Sequence, residues 1–304
     1  MNTNKRNTLA ALPYLLPSFI GFVLFSAAPM AVLLLVSLTD WNALGELTLF
    51  QDAGAFMAEY FSGFANYQAI FSSAELYQTL GNVLKFVALY IPLMLVSSFC
   101  IALILNRGRG TGIFRVIYYV PVITSWVAGA LIWKWALSPD YGVINGILAL
   151  FGVKGPTWLQ SPVWAMPGVV LASVWKDSGY FGLMLFAGLR GIDNGYYEAA
   201  DIDGAGKLRQ TLRITLPLLS PVMFFVVIIS MINSFQIFPQ VMIMTPDGGP
   251  GGSTMVMVER IYRYAFRYYQ MGYASALSWV LLVIILIFTF IQMKLQDRWV
   301  TYDT

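Results

Sequence analysis

The sequence predicts an all-α, polytopic membrane protein with six transmembrane helices and both termini in the cytoplasm. Three observations carry that prediction. The chain of 304 residues is 58% hydrophobic and only 11% charged, whereas soluble domains carry about a quarter charged residues. Six apolar runs are each long enough to supply the roughly 20 helical residues that cross about 30 Å of hydrocarbon. The basic residues gather in alternate connectors, and that asymmetry orients the runs.

Met1 to Ala11 is short and polar, with Lys5 and Arg6. The run from about Leu12 to Leu38 is too long for a signal-peptide core and lacks a clear cleavage site, so it reads as a retained signal anchor and first span. Residues 39–78 form a polar extracytoplasmic loop with Asp40, Glu46, Asp52, Glu59 and Glu75 and neither Lys nor Arg. The second span covers about Thr79 to Leu105. A tight connector with Arg107 and Arg109 leads to the third, about Phe114 to Ala136. A glycine-rich loop to Pro162 precedes the fourth, about Val163 to Leu189. After the polar segment 191–216, Pro217 opens the fifth span, where a first-turn N–H lacks a helical partner anyway. That span reaches about Met244. Thr245 to Thr254, with its prolines and glycines, is irregular. A partly amphipathic stretch with Arg260, Arg263 and Arg267 then leads into the sixth span, about Met271 to Met293.

One set of span ends holds Lys5, Arg6, Arg107, Arg109, Arg115, Arg190, Lys207, Arg209, Arg213, Lys294 and Arg298. The opposite loops hold Lys154, Arg260, Arg263 and Arg267, with Lys134 near a span end. The excess of Lys and Arg places the first set, both termini and segment 191–216 in the cytoplasm. The chain has no His and a single Cys100 inside an apolar run. That leaves no internal disulfide, and it weighs against hydrolytic and metal chemistry, which draw most often on histidine.

Glu198, Asp201 and Asp203 put three acids within six residues, which is costly in lipid. Tyr196 to Asp203 reads as a short exposed helix, N-capped by Asp193 or Asn194 and stopped by Gly204 and Gly206. With Ala199, Ala200 and Ala205 it offers a partner close approach to its backbone. The spacing of Glu198, Ala199, Ala200, Gly204, Ile214, Leu216 and Pro217 resembles the cytoplasmic signature of binding-protein-dependent ABC importer permeases. The wording EAADIDGAG followed by ITLPLLSP resembles their carbohydrate subgroup, of maltose and glycerol-phosphate type. Leu12-Pro13-Tyr14 through Pro17, Phe64-Ala65-Asn66-Tyr67, Trp175-Lys176, Gly248-Gly249-Pro250 and Gly272 through Ala276 resemble other markers of the family. Ile192-Asp193 departs from the usual Ile-Pro, and Pro246 stands as an extra residue before the glycines. The acid-rich first loop resembles the first of two nonidentical permeases.

The resemblance implies a type I ABC importer transmembrane fold, a single transmembrane domain over residues 1–304, in a bacterial or archaeal cytoplasmic membrane. It implies assembly with a second homologous permease, two ATPase subunits and an extracytoplasmic solute-binding protein, surrounded by membrane lipid and without nucleic acid. It implies no catalytic residue, metal or cofactor in this chain, with ATP and Mg on the partner subunits. Gly204-Ala205-Gly206-Lys207 is not a phosphate loop, because Asp201 occupies the first glycine position and Leu208 stands where Ser or Thr would hold magnesium. In the implied mechanism Glu198, Ala199, Ala200, Asp203, Gly204 and Gly206 dock on an ATPase subunit. The helix then moves as a rigid body, tied to the spans by Ile214 to Pro217. Glu198 either bridges to the ATPase or pairs internally with Arg190 or Arg209; Asp201 and Asp203 read as solvated.

Solute residues are expected among polar groups inside spans. Ser230, Asn233 and Gln240 return at helical spacing on one face of the fifth span, with Gln236 at its edge and Ser234 adjoining. Uncharged amides and hydroxyls offer the paired donors and acceptors that sugar hydroxyls need, and the resemblance places sugar contacts on this span. The competing reading is hydrogen bonding between packed spans. In the fourth span, Trp175 and Tyr180 stack on a sugar ring or belong to the aromatic belt. The adjacent Lys176 and Asp177 either line the cavity, with Lys176 facing an anionic solute, or, pointing about 100° apart on a helix, pair with neighbours. The function that follows is ATP-driven uptake of a sugar or oligosaccharide. The alternatives are an anionic solute (acidic oligosaccharide or glycerol phosphate) and a secondary transporter, which would have no use for a docking segment.

Overall fold

The computed structural model describes residues 14–44, 48–106, 111–296 and 300. Lys5, Arg6, Leu12, Pro13, Glu46, Arg107, Arg109 and Arg298 lie outside the described residues. In chain order the helices are α1 (Tyr14–Ser37), α2 (Ala53–Tyr60), α3 (Ala65–Ser72), α4 (Ala74–Asn106), α5 (Thr111–Ile123), α6 (Trp126–Ala136) and α7 (Val143–Leu150). They continue with α8 (Ala165–Arg190), α9 (Asn194–Ile202), α10 (Lys207–Phe235), α11 (Pro239–Met244), α12 (Met257–Phe266) and α13 (Met271–Leu295). Among the described residues the only β pairing is an isolated antiparallel bridge between Thr39 and Phe61. The chain divides into two units: the part up to Ser73 with Arg260–Leu282, and Ala74–Glu259 with the part from Val283.

In the first unit, α1 widens to a π turn over Val23–Ala27 just ahead of Pro29. A proline has no N–H and crowds the carbonyl four residues back, and a widened turn relieves both. The end of α1 is closed by the Asn-Tyr pair: Asn66 Nδ2 donates to the Ser37 and Thr39 carbonyls at 3.0 and 2.8 Å, and the Tyr67 hydroxyl meets Ser37 Oγ at 2.7 Å. These carbonyls have no helical partner of their own. Gly272, at the start of α13, donates to the Trp41 carbonyl at 3.1 Å. A Cβ there would fall inside contact distance of the Thr39 carbonyl, so this close approach requires glycine. The acid-rich loop is structured: Asp52 caps α2 by accepting from Ala55 N at 2.9 Å, and Phe56 packs with Val36 and Leu49 as a small core.

The second unit is organised around α8, which lies along α4 and also meets α5 and α10. Gly179 and Gly182 permit this, since a Cβ at either would collide with Tyr118 of α5 or Ile101 of α4. Among the described residues, four helices, α1, α4, α10 and α13, qualify as membrane spans by length and composition, and five if α5 and α6 count as one bent span. The 26-residue α8, expected as the fourth span, is not among them. Its face toward the other helices carries Ser173, Lys176 and Ser178, and a helix buried in protein needs less apolar surface than one in lipid.

Three expectations require correction. The third run is not one straight helix, because α5 and α6 meet at an angle of 99°. Pro121 weakens the end of α5, and Ser125 caps α6 by accepting from Ala128 N at 3.2 Å. The fifth span does not open at Pro217. Helix α10 starts at Lys207 and passes through a π turn at Thr211–Thr215, which accommodates the proline. Nor does that span continue to Met244, since it ends at Phe235 and resumes only as the short α11. Arg260 and Arg263 of α12 are buried, which removes them from any count of surface charge. The glycine turn after Thr245 is held by α4: Asn82 Nδ2 donates to the Gly252 and Met255 carbonyls at 2.8 and 2.9 Å.

Candidate functional site

A cavity of about 270 Å³ opens in the second unit, lined by Phe86 and Tyr90 of α4, Trp126 of α6, Ser173 and Asp177 of α8, Asn233 and Ser234 of α10, and Gln236 through Gln240 apart from Phe238. It exists because α10 breaks. Pro239 disfavours helical backbone at Phe238, which sits at φ −147° and ψ −61°. Gln236 ends the helix, its N–H reaching the Asn233 carbonyl at 3.0 Å. The break turns the α10 terminus into cavity wall and returns Gln240 to the same cavity on a different helix.

Four of the expected solute residues, Asn233, Ser234, Gln236 and Gln240, therefore meet in this cavity. Asn233 and Gln236 are exposed to it, and neither side chain is hydrogen-bonded among the described residues. Gln240 is 4% exposed, and its Oε1 is buried without a hydrogen-bond partner. Ser234 spends its hydroxyl on the Ser230 carbonyl at 2.6 Å.

Ser230, Trp175, Lys176 and Tyr180 do not line the cavity. Ser230 is buried and donates to the Val226 carbonyl at 2.6 Å, the usual retreat of a helix serine with no outside partner. Trp175 packs edge-on against Trp133, with centroids 6.0 Å apart. Tyr180 turns outward beside Phe181. Lys176, 7% exposed, donates to the Pro121, Val122 and Thr124 carbonyls at 3.0, 3.2 and 2.6 Å, with the Trp126 ring 5.3 Å from its Nζ. It satisfies the carbonyls left open where α5 ends. Of the two sequence readings of Lys176, pairing with neighbours is the one the structure shows, and the neighbours are backbone carbonyls.

The cavity residues that sequence reasoning missed are Phe86, Tyr90, Trp126, Ser173, Ile237 and Pro239, while Asp177 is the member of the Lys176–Asp177 pair that lines the cavity. The Tyr90 hydroxyl donates to Asp177 Oδ2 at 2.8 Å, and its ring stacks on Phe86 at 5.0 Å. One signal was legible: Ser173 and Asp177 are four residues apart, hence on one helix face.

The segment after α8 is a helix–turn–helix. Asp193 caps α9 by accepting from Gly195 N at 2.9 Å, and Gly204 supplies the left-handed turn at φ +74°. Gly206 is the cap of α10 and thus opens the next helix. Asp201 is not simply solvated. The carboxylate takes a hydrogen bond from Gln210 and an ion pair from Lys207 at 3.2 Å, and these hold its pKa below the usual carboxylate range. Gln210 also reaches the Ala205 carbonyl at 3.0 Å, and the Tyr197 hydroxyl meets Thr215 Oγ1 at 3.0 Å. These contacts join α9 to α10, and Thr215 is the member of the Ile214 to Pro217 tie that makes a direct bond. Glu198 is exposed and pairs with neither Arg190 nor Arg209 among the described residues. Beside it Ile202 is 87% exposed and Leu208 74%.

The family described as binding-protein-dependent transport system inner membrane component matches residues 53–301. A probable ABC transporter permease of Bacillus subtilis is 35% identical over 99% of this chain and 94% of its own length. The trehalose/maltose transport permease of Thermococcus litoralis is 34% identical over 82% of this chain and 84% of its own. The lactose transport permease of Rhizobium radiobacter is 32% identical over 88% and 91%. In a crystal structure of a bacterial ABC transporter that imports the acidic polysaccharide alginate, one chain superposes with a TM-score of 0.78 at 24% identity, covering 97% of this chain and 96% of that one. The architecture is therefore that of an ABC permease subunit, and the chain belongs to the family of binding-protein-dependent transport system inner membrane components.

Proposed function

We propose that the chain is a sugar-passing permease subunit of an ATP-driven importer, fed by an extracytoplasmic binding protein. The solute passes the cavity of Asp177, Asn233, Gln236 and Gln240. The observation that carries this reading is α10. It is one helix of 29 residues, about 44 Å long at 1.5 Å per residue. The clasp of Asp201, Gln210 and Lys207 sits at its start, and the unspent amides sit at its end. A push on α9 reaches the cavity without crossing a loop.

On this reading α9 and the turn at Gly204 dock on one ATPase subunit, with Glu198, Ala199, Ala200, Asp203 and Gly206 at the contact and Ile202 and Leu208 as apolar anchors. ATP and Mg belong to the ATPase pair, and a second homologous permease completes the passage. Helix α8 is taken as a sixth membrane segment shielded by its neighbours. Both termini and α9 lie on the cytoplasmic side of a prokaryotic inner membrane, as the basic residues of the connectors favour. Amides fit the solute because each presents a donor and an acceptor without a buried charge.

The test is co-expression with the homologous permease and ATPase subunits, followed by purification and uptake in proteoliposomes with the cognate binding protein. An ATPase that co-purifies with wild type but not with Gly204→Val supports the docking role. Uptake by this chain without an ATPase would refute the proposal.

A further inference from the structure

Resting on the reading of this cavity as the solute passage, we propose that it accepts saccharides whose bound rings are uncharged and turns away anionic ones, with Asp177 as the selecting side chain. Among the described residues, Asp177 is the only one lining the cavity with a formal charge. Its orientation is fixed by the Tyr90 hydroxyl at 2.8 Å on Oδ2, which leaves the remaining carboxylate lone pairs to accept. The neighbouring cation has nothing to offer a solute. An ammonium has three protons, and those of Lys176 go to the Pro121, Val122 and Thr124 carbonyls.

The second observation is the lining amides: Asn233 and Gln236 are exposed to the cavity with side chains unbonded among the described residues, and Gln240 lines it with its Oε1 buried and without a donor. The groups with spare capacity are therefore one carboxylate and neutral amides, and the complementary ligand is one that donates to the carboxylate and both donates to and accepts from the amides. Sugar hydroxyls do so. A uronate carboxylate presents only acceptors and repeats the sign of Asp177, and walls built from Phe86, Tyr90 and Trp126 screen that repulsion less than bulk water would. The solute named for the structural neighbour, an acidic polysaccharide, would find no cation here.

The experiment needs no knowledge of the solute. In the assembled transporter, with Cys100→Ala removing this chain's one native thiol and modification read on this chain alone, Asn233→Cys is treated with methanethiosulfonate reagents of similar size bearing a positive, a negative or no charge. Rates are normalised to those of free cysteine. The expected result is modification by the cationic reagent roughly tenfold or more faster than by the anionic one, with the ratio collapsing toward one when Asp177→Asn is added. Asn keeps an acceptor for Tyr90, so this variant retains the local hydrogen bond; unchanged thermal unfolding of the complex confirms that it is folded. Modification with no charge preference, or with the anionic reagent faster, overturns the selection by Asp177 and leaves the passage intact. No modification by any reagent overturns the passage itself, and the inference with it.

Discussion

Replacing Lys176 with Met tests the most specific mechanical claim of the structure, that this lysine holds the broken third segment together rather than binding solute. Methionine keeps a long apolar stem and deletes only the ammonium. Three bonds are lost, to the Pro121, Val122 and Thr124 carbonyls at 3.0, 3.2 and 2.6 Å. A hydrogen bond to a charged group contributes about 1.5–3 kcal/mol net, so the lower figure for three gives roughly 4–5 kcal/mol. Burying an ammonium costs several kcal/mol that the variant recovers in part, which leaves a net loss of about 2–3 kcal/mol. That is roughly a 30- to 150-fold fall in the population holding the bent arrangement of α5 and α6. For a domain of this size it corresponds to a drop of roughly 5–10 °C in unfolding temperature. The assay is thermal unfolding of the purified complex alongside its solute-stimulated ATPase. The expected outcome is lower thermal stability and lower stimulation for every solute alike. Lys176→Met with wild-type stability and weakened response to an acidic oligosaccharide alone would refute the reasoning, because it would put the ammonium in the cavity.

Other expectations follow from single contacts. Gly204→Val places a β-branched residue at φ +74°, a strain of about 1–3 kcal/mol; uptake should be lost while membrane insertion, scored by protease accessibility, persists. Gln240→Leu removes a buried oxygen that has no donor, so thermal stability should hold or rise while half-maximal stimulation by solute shifts to higher concentration. Gly272→Ala drives a methyl against the Thr39 carbonyl and should lower the folded yield in the membrane, measured by fluorescence size-exclusion. For Asp201, hydrogen bonding from Gln210 and then Lys207 depresses the pKa. Its stabilising contribution is thus present above the unfolded value of about 3.9 and lost only as pH falls through the lower folded value. A fall in coupling between pH 5 and 8 that Asp201→Asn abolishes would contradict this.

Much of the helix–turn–helix after α8 and of the general plan was legible in the residues. The cap at Asp193, the stop at Gly204 and the boundaries of α13 follow from local rules of capping, glycine and apolar length, which act within a turn or two of the chain. The amides at Asn233, Gln236 and Gln240 stood out as candidates because uncharged polar residues are rare in apolar runs, and the structure brings all three to one cavity. The straight helical face that was to unite them with Ser230 was not correct, and Pro239 was the signal that could have said so.

What the sequence determined by itself, then, was the class of protein, the short helix and glycine turn that follow α8, and the presence of amides near the end of α10, since each rests on composition or on residues close along the chain. Only the tertiary structure decided the roles of Lys176 and Asp177. They adjoin in sequence but point roughly 100° apart on α8. Which of them meets open carbonyls and which meets the cavity depends on where α5 ends and α10 breaks, dozens of residues away in either direction.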